Sequence, residues 1–541
     1  MGGAKPDIME RYDYIIVGAG SAGAPLATRL AEAGRRVLLL EAGGAGKHPW
    51  VNIPLGYGKV FHDARFNWKY TTEPEPGLNG RQVYWPRGKV LGGSSAINAM
   101  VWVRGHPADF DEWGALAPGW SWKDVAPVFR RIERWSGAQS PERGGDGPLS
   151  VTDMSAQMHP LTHACIAAAA EAGIPTNADY NGADMNGAGF YQISTAGGRR
   201  ASTAQAYLRR ASHLPNFRIE TAAMTTRILL EGQRATGVEY VKKGHREKAF
   251  ANEVILCGGA LNSPQLLMLS GIGPAAHLRE HGIDVVLDAP HVGAHLMDHL
   301  GYDLLYRTRR PSLNQTLRPW WGKAWAGMQY VTMQKGPLAM SLNQGGGFTR
   351  LAKGAGVPDT QLYFSPLSYS TAPKGKRPLM SPDAFPAMRM GFNPCKPTSR
   401  GSVGLTSNDP FAPPALRGGY LTSAHDCDLM VRGVREIRRI ASMPALENLI
   451  ETELEPGPGY QSDADILEFV RDRAGTVFHQ CGTCRMGTDA ATSVVDPHLR
   501  VHGIAGLRVA DAAIFPTIPT GNTNAAAVMV GERAYDLMTQ G

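Results

Sequence analysis

Gly18, Gly20 and Gly23 stand in G-x-G-x-x-G spacing directly behind the short apolar run Tyr14–Val17. Three glycines at that spacing can cradle a diphosphate. The first permits a tight turn, the second lets the backbone approach a pyrophosphate, and the third lets a helix pack closely on a strand. The pyrophosphate would then sit at the positive end of the following helix. Glu41, eighteen residues after Gly23, can bind both hydroxyls of a ribose and would repel a 2′-phosphate. Taken by itself the set reads as an adenine-dinucleotide site and does not separate FAD from NAD.

Positioning these residues requires a strand, a helix and a second strand. Residues 24–33 (APLATRLAEA) read as the helix, ended by Gly34, and Val37–Leu40 as the next buried strand. Other small-residue loops could bring backbone against the same ligand. Gly92-Gly93-Ser94-Ser95 lies beside an apolar segment, and Gly258-Gly259 follows the apolar run Val254–Cys257. At Val509-Ala510-Asp511 a strand ends in an acid, which by its residue type is also a helix N-cap. Cys481-x-x-Cys484 has redox or zinc spacing, but no second ligand pair accompanies it, and no metal site is expected.

Composition narrows the class. The chain has 541 residues, enough for two or more domains, and 64 glycines, well above the roughly 7% of an average protein. The surplus has no G-X-Y period and so belongs to turns and close backbone approaches. Lys and Arg number 55 against 48 Asp and Glu, a mild net charge of +7 that allows an anionic ligand without calling for nucleic acid. Six cysteines are too few for a disulfide framework, which points to a reducing compartment. The N-terminal residues carry no apolar leader core, and no apolar run reaches membrane-spanning length. A cytoplasmic protein is expected, with peripheral membrane contact left open.

Beyond the first glycine loop, four stretches decide between the two dinucleotides: RGKVLGGSSAIN (87–98), GALNSPQLLMLSGIG (259–273), GTVFHQCGTCRMG (475–487) and VVDPHLRVHGIAGLRVADAAIFPTIPTGNTN (494–524). Together, and in this order, they resemble the glucose–methanol–choline (GMC) oxidoreductases, which use FAD. The resemblance runs from Tyr14 to Asp536 and is nearest to the bacterial choline dehydrogenase and alcohol dehydrogenase branch. It implies an α/β fold of two interleaved parts. A Rossmann-like FAD domain would take residues 1–151, 197–299 and 462–541. A substrate domain, an antiparallel-type sheet with helices, would take 152–196 and 300–461.

Carried onto this sequence, the resemblance implies FAD contacts at Gly18, Gly20, Ser21, Gly23, Glu41, Ala42, Trp68, Gly92, Gly93, Ser94, Asn98, Ala99, Met100, Val101, Thr225, Gly259, Asp511, Ala512, Asn522, Thr523 and Asn524. It also implies that His479 takes the proton of an alcohol hydroxyl, while Asn522 holds the oxygen and hydride passes to flavin N5. His299 reads as structural. Ile97 stands where members with covalently attached flavin have histidine, so the FAD is expected to be dissociable.

The expected reaction is oxidation of a neutral primary alcohol, aromatic or medium-chain, to the aldehyde, with electrons passing to a quinone, another carrier or dioxygen. Gln344 replaces a glutamate of choline-type relatives, and Tyr363 and Phe364 are candidate pocket walls. Trp320, Trp321 and Trp325, with Tyr330, fall on a helix expected to pack into the core, the other reading being an apolar rim at a substrate or membrane-quinone entrance. The alternatives are a choline dehydrogenase, an alcohol oxidase making hydrogen peroxide and, in a different class, a hydroxynitrile lyase on the same scaffold.

Overall fold

The computed structural model describes residues 11–352, 354–370 and 381–539; most of the N-terminal segment read above lies outside them. Two seven-stranded sheets dominate. The first contains β1 (Arg11–Val17), β2 (Val37–Glu41), β3 (Phe217–Thr221), β4 (Ala223–Glu231), β5 (Arg234–Lys242), β6 (His245–Leu256) and β7 (Leu507–Val509). Its order is β3-β2-β1-β6-β5-β4, with β7 beside the C-terminal half of β6. β3, β2, β1, β6 and β7 run parallel, while β4 and β5 form an antiparallel ribbon on the N-terminal half of β6. Parallel strands with cover on both faces need apolar side chains throughout, which is why Ile15–Val17, Val37–Leu40 and Val254–Leu256 read as unbroken apolar runs and are buried.

Helix α1 (Gly23–Glu32) makes the crossover from β1 to β2. At its first residue, a Cβ would fall 2.0 Å from the Gly18 carbonyl oxygen, so only glycine lets helix and turn meet. Gly18 itself has φ +106°, a left-handed turn that other residues resist. Helix α2 (Gly259–Leu269) leaves the end of β6 in the same way.

The second sheet is antiparallel throughout its main path. Its strand order is Ile450–Glu455, Leu300–Thr308, Ala387–Pro394, Thr360–Ser365, Gly345–Thr349 and Gly187–Phe190. Helix Ala424–Ala441 packs on one face, where Gly433 makes room for the Phe392 ring. Strand alternation decides what the other face presents. In Thr360–Ser365, Leu362 and Phe364 enter the main core, while Gln361 and Tyr363 point the opposite way. The α/β class with a Rossmann-like lobe and an antiparallel second sheet is as the sequence implies.

One expectation is corrected here. Helix α3 (Trp320–Met333) forms before Gly336-Pro337, but its tryptophans are not core residues. Trp320, Trp321 and Trp325 are 76%, 64% and 54% exposed. The helix buries the stripe Gly322, Ala326 and Tyr330, which repeats every four residues. The tryptophans fall outside that stripe.

Candidate active site

Where the parallel strands β1 and β6 end lies a cleft of about 310 Å³, of the size of cofactor and ligand sites, lined from segments 17–101, 223–269 and 477–527 and by Pro410. Gly18, Gly20, Ser21, Glu41 and Ala42 line it together with His479, Asn522, Thr523 and Asn524, and the Ser21 hydroxyl donates to Asn524 Oδ1 at 2.7 Å. Trp68, Gly93, Ser94, Asn98, Ala99, Met100, Val101, Thr225, Gly259, Asp511 and Ala512 also line it. Gly23 and Gly92 do not face the cleft. Gly23 lies against Gly18 and Cys257, and Gly92 (φ +92°) turns the chain into the loop that carries Gly93.

The lining has the chemistry of a dinucleotide cradle. Glu41 is buried at the end of β2, where its carboxylate accepts the Ala19 and Gly43 N–H groups at 3.1 and 2.8 Å. Burial pushes its pKa up to about 7, only partly offset by those two bonds and by Lys89. Donors from a ribose would stabilise its charge. Thr225 Oγ1 is buried in the lining without a partner among the described residues, so a ligand edge there would satisfy it. Gly93 and Gly20 approach so closely that a Cβ on Gly93 would lie 2.7 Å from the Gly20 Cα, joining two glycine loops into one cradle. Asp511 accepts the Gly259 N–H (2.8 Å), the Ala513 N–H (2.7 Å) and the Ser263 hydroxyl (2.6 Å), so it fixes the start of α2 and the turn after β7 together. The residues present therefore suit FAD. Ile97 lines the same cleft and offers no nucleophile to it.

In the same cleft the imidazole of His479 is held by both nitrogens. His299 Nε2 lies 3.0 Å from the Cys395 carbonyl oxygen, which can only accept, so His299 carries its proton on Nε2. Its Nδ1, 2.9 Å from His479 Nδ1, then accepts, and His479 must donate from Nδ1. The lone pair of His479 is left on Nε2, where the Asn522 amide donates to it at 3.0 Å. Asn522 is oriented in turn by Gln361, whose amide donates to its Oδ1 at 3.0 Å, and Gln361 accepts from the Tyr363 hydroxyl at 2.8 Å. Burial, then His299 and Arg87, draw the His479 pKa well below its ordinary value, and burial draws His299 down to about 4. Both rings are neutral at pH 7, which makes His479 Nε2 a proton acceptor facing the cleft.

The main chain beneath His479 is also held. Asp298 accepts the His479 and His299 N–H groups at 2.8 and 2.9 Å and the side-chain donors of Thr476, Gln480 and Tyr420. Phe478, with φ +71°, occupies the left-handed region, and Arg87 donates from both terminal nitrogens to its carbonyl oxygen at 3.1 Å. Sequence reasoning missed Arg87, Phe478, Tyr57 and Phe61 as lining residues and passed over His299 and Gln361. The pair Asp298-His299 was the one available signal.

Three expected wall residues lie elsewhere. Gln344 is buried and accepts from the His159 N–H (2.8 Å) and the Thr162 hydroxyl (3.2 Å), capping helix Pro160–Glu171. It therefore says nothing about the charge of a substrate. Phe364 lies on the core face of its strand, and Tyr363 stands behind Gln361. Cys481 and Cys484 are buried free thiols whose pKa values burial pushes up.

A Rossmann-like sheet whose dinucleotide cradle runs to a neutral, oriented imidazole defines a flavin-type oxidoreductase of hydroxyl compounds. The models of the two GMC oxidoreductase domains match residues 12–301 and 397–531. The chain belongs to the GMC oxidoreductase family. It is 42% identical to the oxygen-dependent choline dehydrogenase of Rhizobium meliloti over 97% of this chain and 95% of that one. It is 39% identical to the alcohol dehydrogenase [acceptor] of Pseudomonas putida over 98% and 96%. The crystal structure of pyridoxine 4-oxidase from Mesorbium loti superposes with a TM-score of 0.89 at 31% identity, covering 98% of this chain and all of that one. The protein is an FAD-dependent oxidoreductase acting on CH–OH donors.

Proposed function

We propose that the protein oxidises a neutral primary alcohol to the aldehyde, with His479 as the base and Asn522 as the group that holds the substrate oxygen. The observation that carries this reading is the fixed tautomer of His479, which leaves its Nε2 lone pair beside the Asn522 amide. A hydroxyl entering between them can accept from Asn522 Nδ2 and give its proton to His479 Nε2. Protonated His479 then carries a positive charge into a site that Arg87 already makes electropositive, which favours developing anionic charge nearby. FAD, when bound, accepts the hydride from the carbinol carbon. Ile97 supports dissociable FAD.

A neutral substrate is favoured because, among the described residues, Glu41 and Asp511 are the only carboxylates in the lining, and we assign both to the dinucleotide cradle. Choline is the second reading, motivated by the 42% identical relative, with Phe61 and Phe478 as the aromatic faces a quaternary ammonium would need. We assign segments 1–151, 197–299 and 462–541 to the cofactor lobe and 152–196 and 300–461 to the substrate lobe. Supporting this, the strands of each main sheet path come from one set alone, although Gly475–Thr476 pairs with Leu300–Gly301 across the boundary.

The test is anaerobic flavin reduction across a panel of primary alcohols that includes choline, followed by mixing with a quinone or with dioxygen. Bleaching by neutral alcohols and faster reoxidation by quinone supports a dehydrogenase. Bleaching by choline alone overturns the substrate class, and no bleaching by any alcohol would favour lyase chemistry.

A further inference from the structure

Among the described residues, none covers the outward face of α3. Trp320, Trp321, Trp325, Met328 and Val331 are all at least half exposed, a contiguous apolar stripe on a 14-residue helix. The inner face is firmly held. A Cβ on Gly322 would lie 2.0 Å from the Thr316 carbonyl oxygen, and Ala326 joins a cluster that includes Tyr57 and Ile97, both of which line the cleft. The helix is thus seated on the wall of the active-site cleft and presents its tryptophans away from it.

Charge identifies what covers this face. Lys323 is the only charged residue of the helix, with Arg318 just before it and Lys335 just after. Arg199 joins them, since the turn that carries it packs on the end of the helix through Gly198 and Gln334. All four cations are exposed, and among the described residues none pairs with a carboxylate. Between Asp303 and Asp359 the sequence has eight Lys and Arg and no Asp or Glu, an excess larger than the net charge of +7 of the whole chain. A tryptophan-rich face rimmed by unpaired cations matches the boundary of a bilayer, where indole rings sit at headgroup level and Lys and Arg meet anionic lipid. A second copy on the same face would bring like charges together across a two-fold axis.

We propose that α3 docks the protein peripherally on an anionic phospholipid bilayer. The inference is independent of the substrate.

The test is cosedimentation of the FAD-loaded, full-length protein with vesicles of phosphatidylcholine alone or of phosphatidylcholine and phosphatidylglycerol in equal parts. Binding to the anionic vesicles is expected to exceed binding to the neutral ones by about tenfold or more and to fall with salt. The combined variant Trp320→Ser, Trp321→Ser, Trp325→Ser is expected to lose that binding while keeping its turnover of a soluble alcohol with a soluble acceptor. A separate variant, Lys323→Gln with Lys335→Gln, is expected to retain some binding and lose most of its salt dependence. No association with anionic vesicles at low salt overturns the proposal. So does unchanged binding by the tryptophan variant, or self-association that buries the tryptophans in place of lipid.

Discussion

His299 and His479 face each other through their Nδ1 atoms at 2.9 Å, although 180 positions separate them in the chain. One of the two nitrogens must carry the hydrogen, and the Cys395 carbonyl on the far side of His299 assigns it to His479. His299 is therefore a positioning residue. His299→Leu is expected to lower the rate of flavin reduction about 100-fold, because the base loses both its tautomer and its aim. His299→Gln supplies a donor for Cys395 and an acceptor for His479, and is expected to recover much of the loss. Stopped-flow reduction of the two variants checks this, and equal rates for Leu and Gln would show that His299 only fills space.

The acid limb of the reaction follows from the same ring. Burial lowers the His479 pKa, so the ring stays unprotonated through the range where a free histidine, with a pKa near 6.5, takes up its proton. The rate of flavin reduction is expected to stay flat as pH falls through about 6.5 and to decline only at lower pH. Stability has a matching sign. The unfolded chain binds protons at His299 and His479 before the folded one does, so these residues contribute stability above about pH 6.5 that is lost on acidification toward 4. A pH series of thermal melts on the wild type and on His299→Gln measures that part.

In the proposed mechanism Asn522 reaches the substrate oxygen only if its amide nitrogen faces His479, an orientation that Gln361 fixes by donating to the amide oxygen. Asn522→Ala is expected to reduce kcat/KM by about 10- to 1000-fold with FAD still bound, the scale of one lost transition-state donor. Asn522→Asp is expected to be worse. Its carboxylate would hold His479 in the protonated form, and the acid limb would move to higher pH. Gln361→Leu leaves the substrate contact in place but frees the amide to turn, so its loss is expected to be smaller than that of Asn522→Ala.

What could be read from the chain divides by how local the signal is. Gly18, Gly20, Gly23 and Glu41 act within one strand–helix–strand unit, and each part of the cradle is written within thirty residues. His479 is one of sixteen histidines, and its neighbours His299, Cys395 and Asn522 arrive from three distant segments, so spacing alone has nothing to say about them. Gln344 illustrates the opposite error. The resemblance implies a substrate-side residue there, yet strand pairing places it at a helix cap. For the tryptophans, apolar character predicts burial on average, whereas the four-residue repeat of Gly322, Ala326 and Tyr330 fills the inner face of α3.

Glu41 links cofactor affinity to pH. In the protein without ligand its folded pKa of about 7 lies above the ordinary carboxylate value of 4.5, because burial opposes the charge more than two backbone donors support it. Ribose hydroxyls donating to the carboxylate favour the charged form, so FAD binding drives proton release from Glu41 in the range below about pH 7. The sign is that affinity rises with pH across this window, by up to about tenfold per unit, and levels off above 7. Glu41→Gln removes the titration, and its FAD affinity is expected to be lower at pH 8 and insensitive to pH. Quenching of FAD fluorescence on titration with the apoprotein at a series of pH values measures both. A slope of opposite sign in the wild type would mean that the carboxylate binds FAD in its protonated form, as a donor to the ribose.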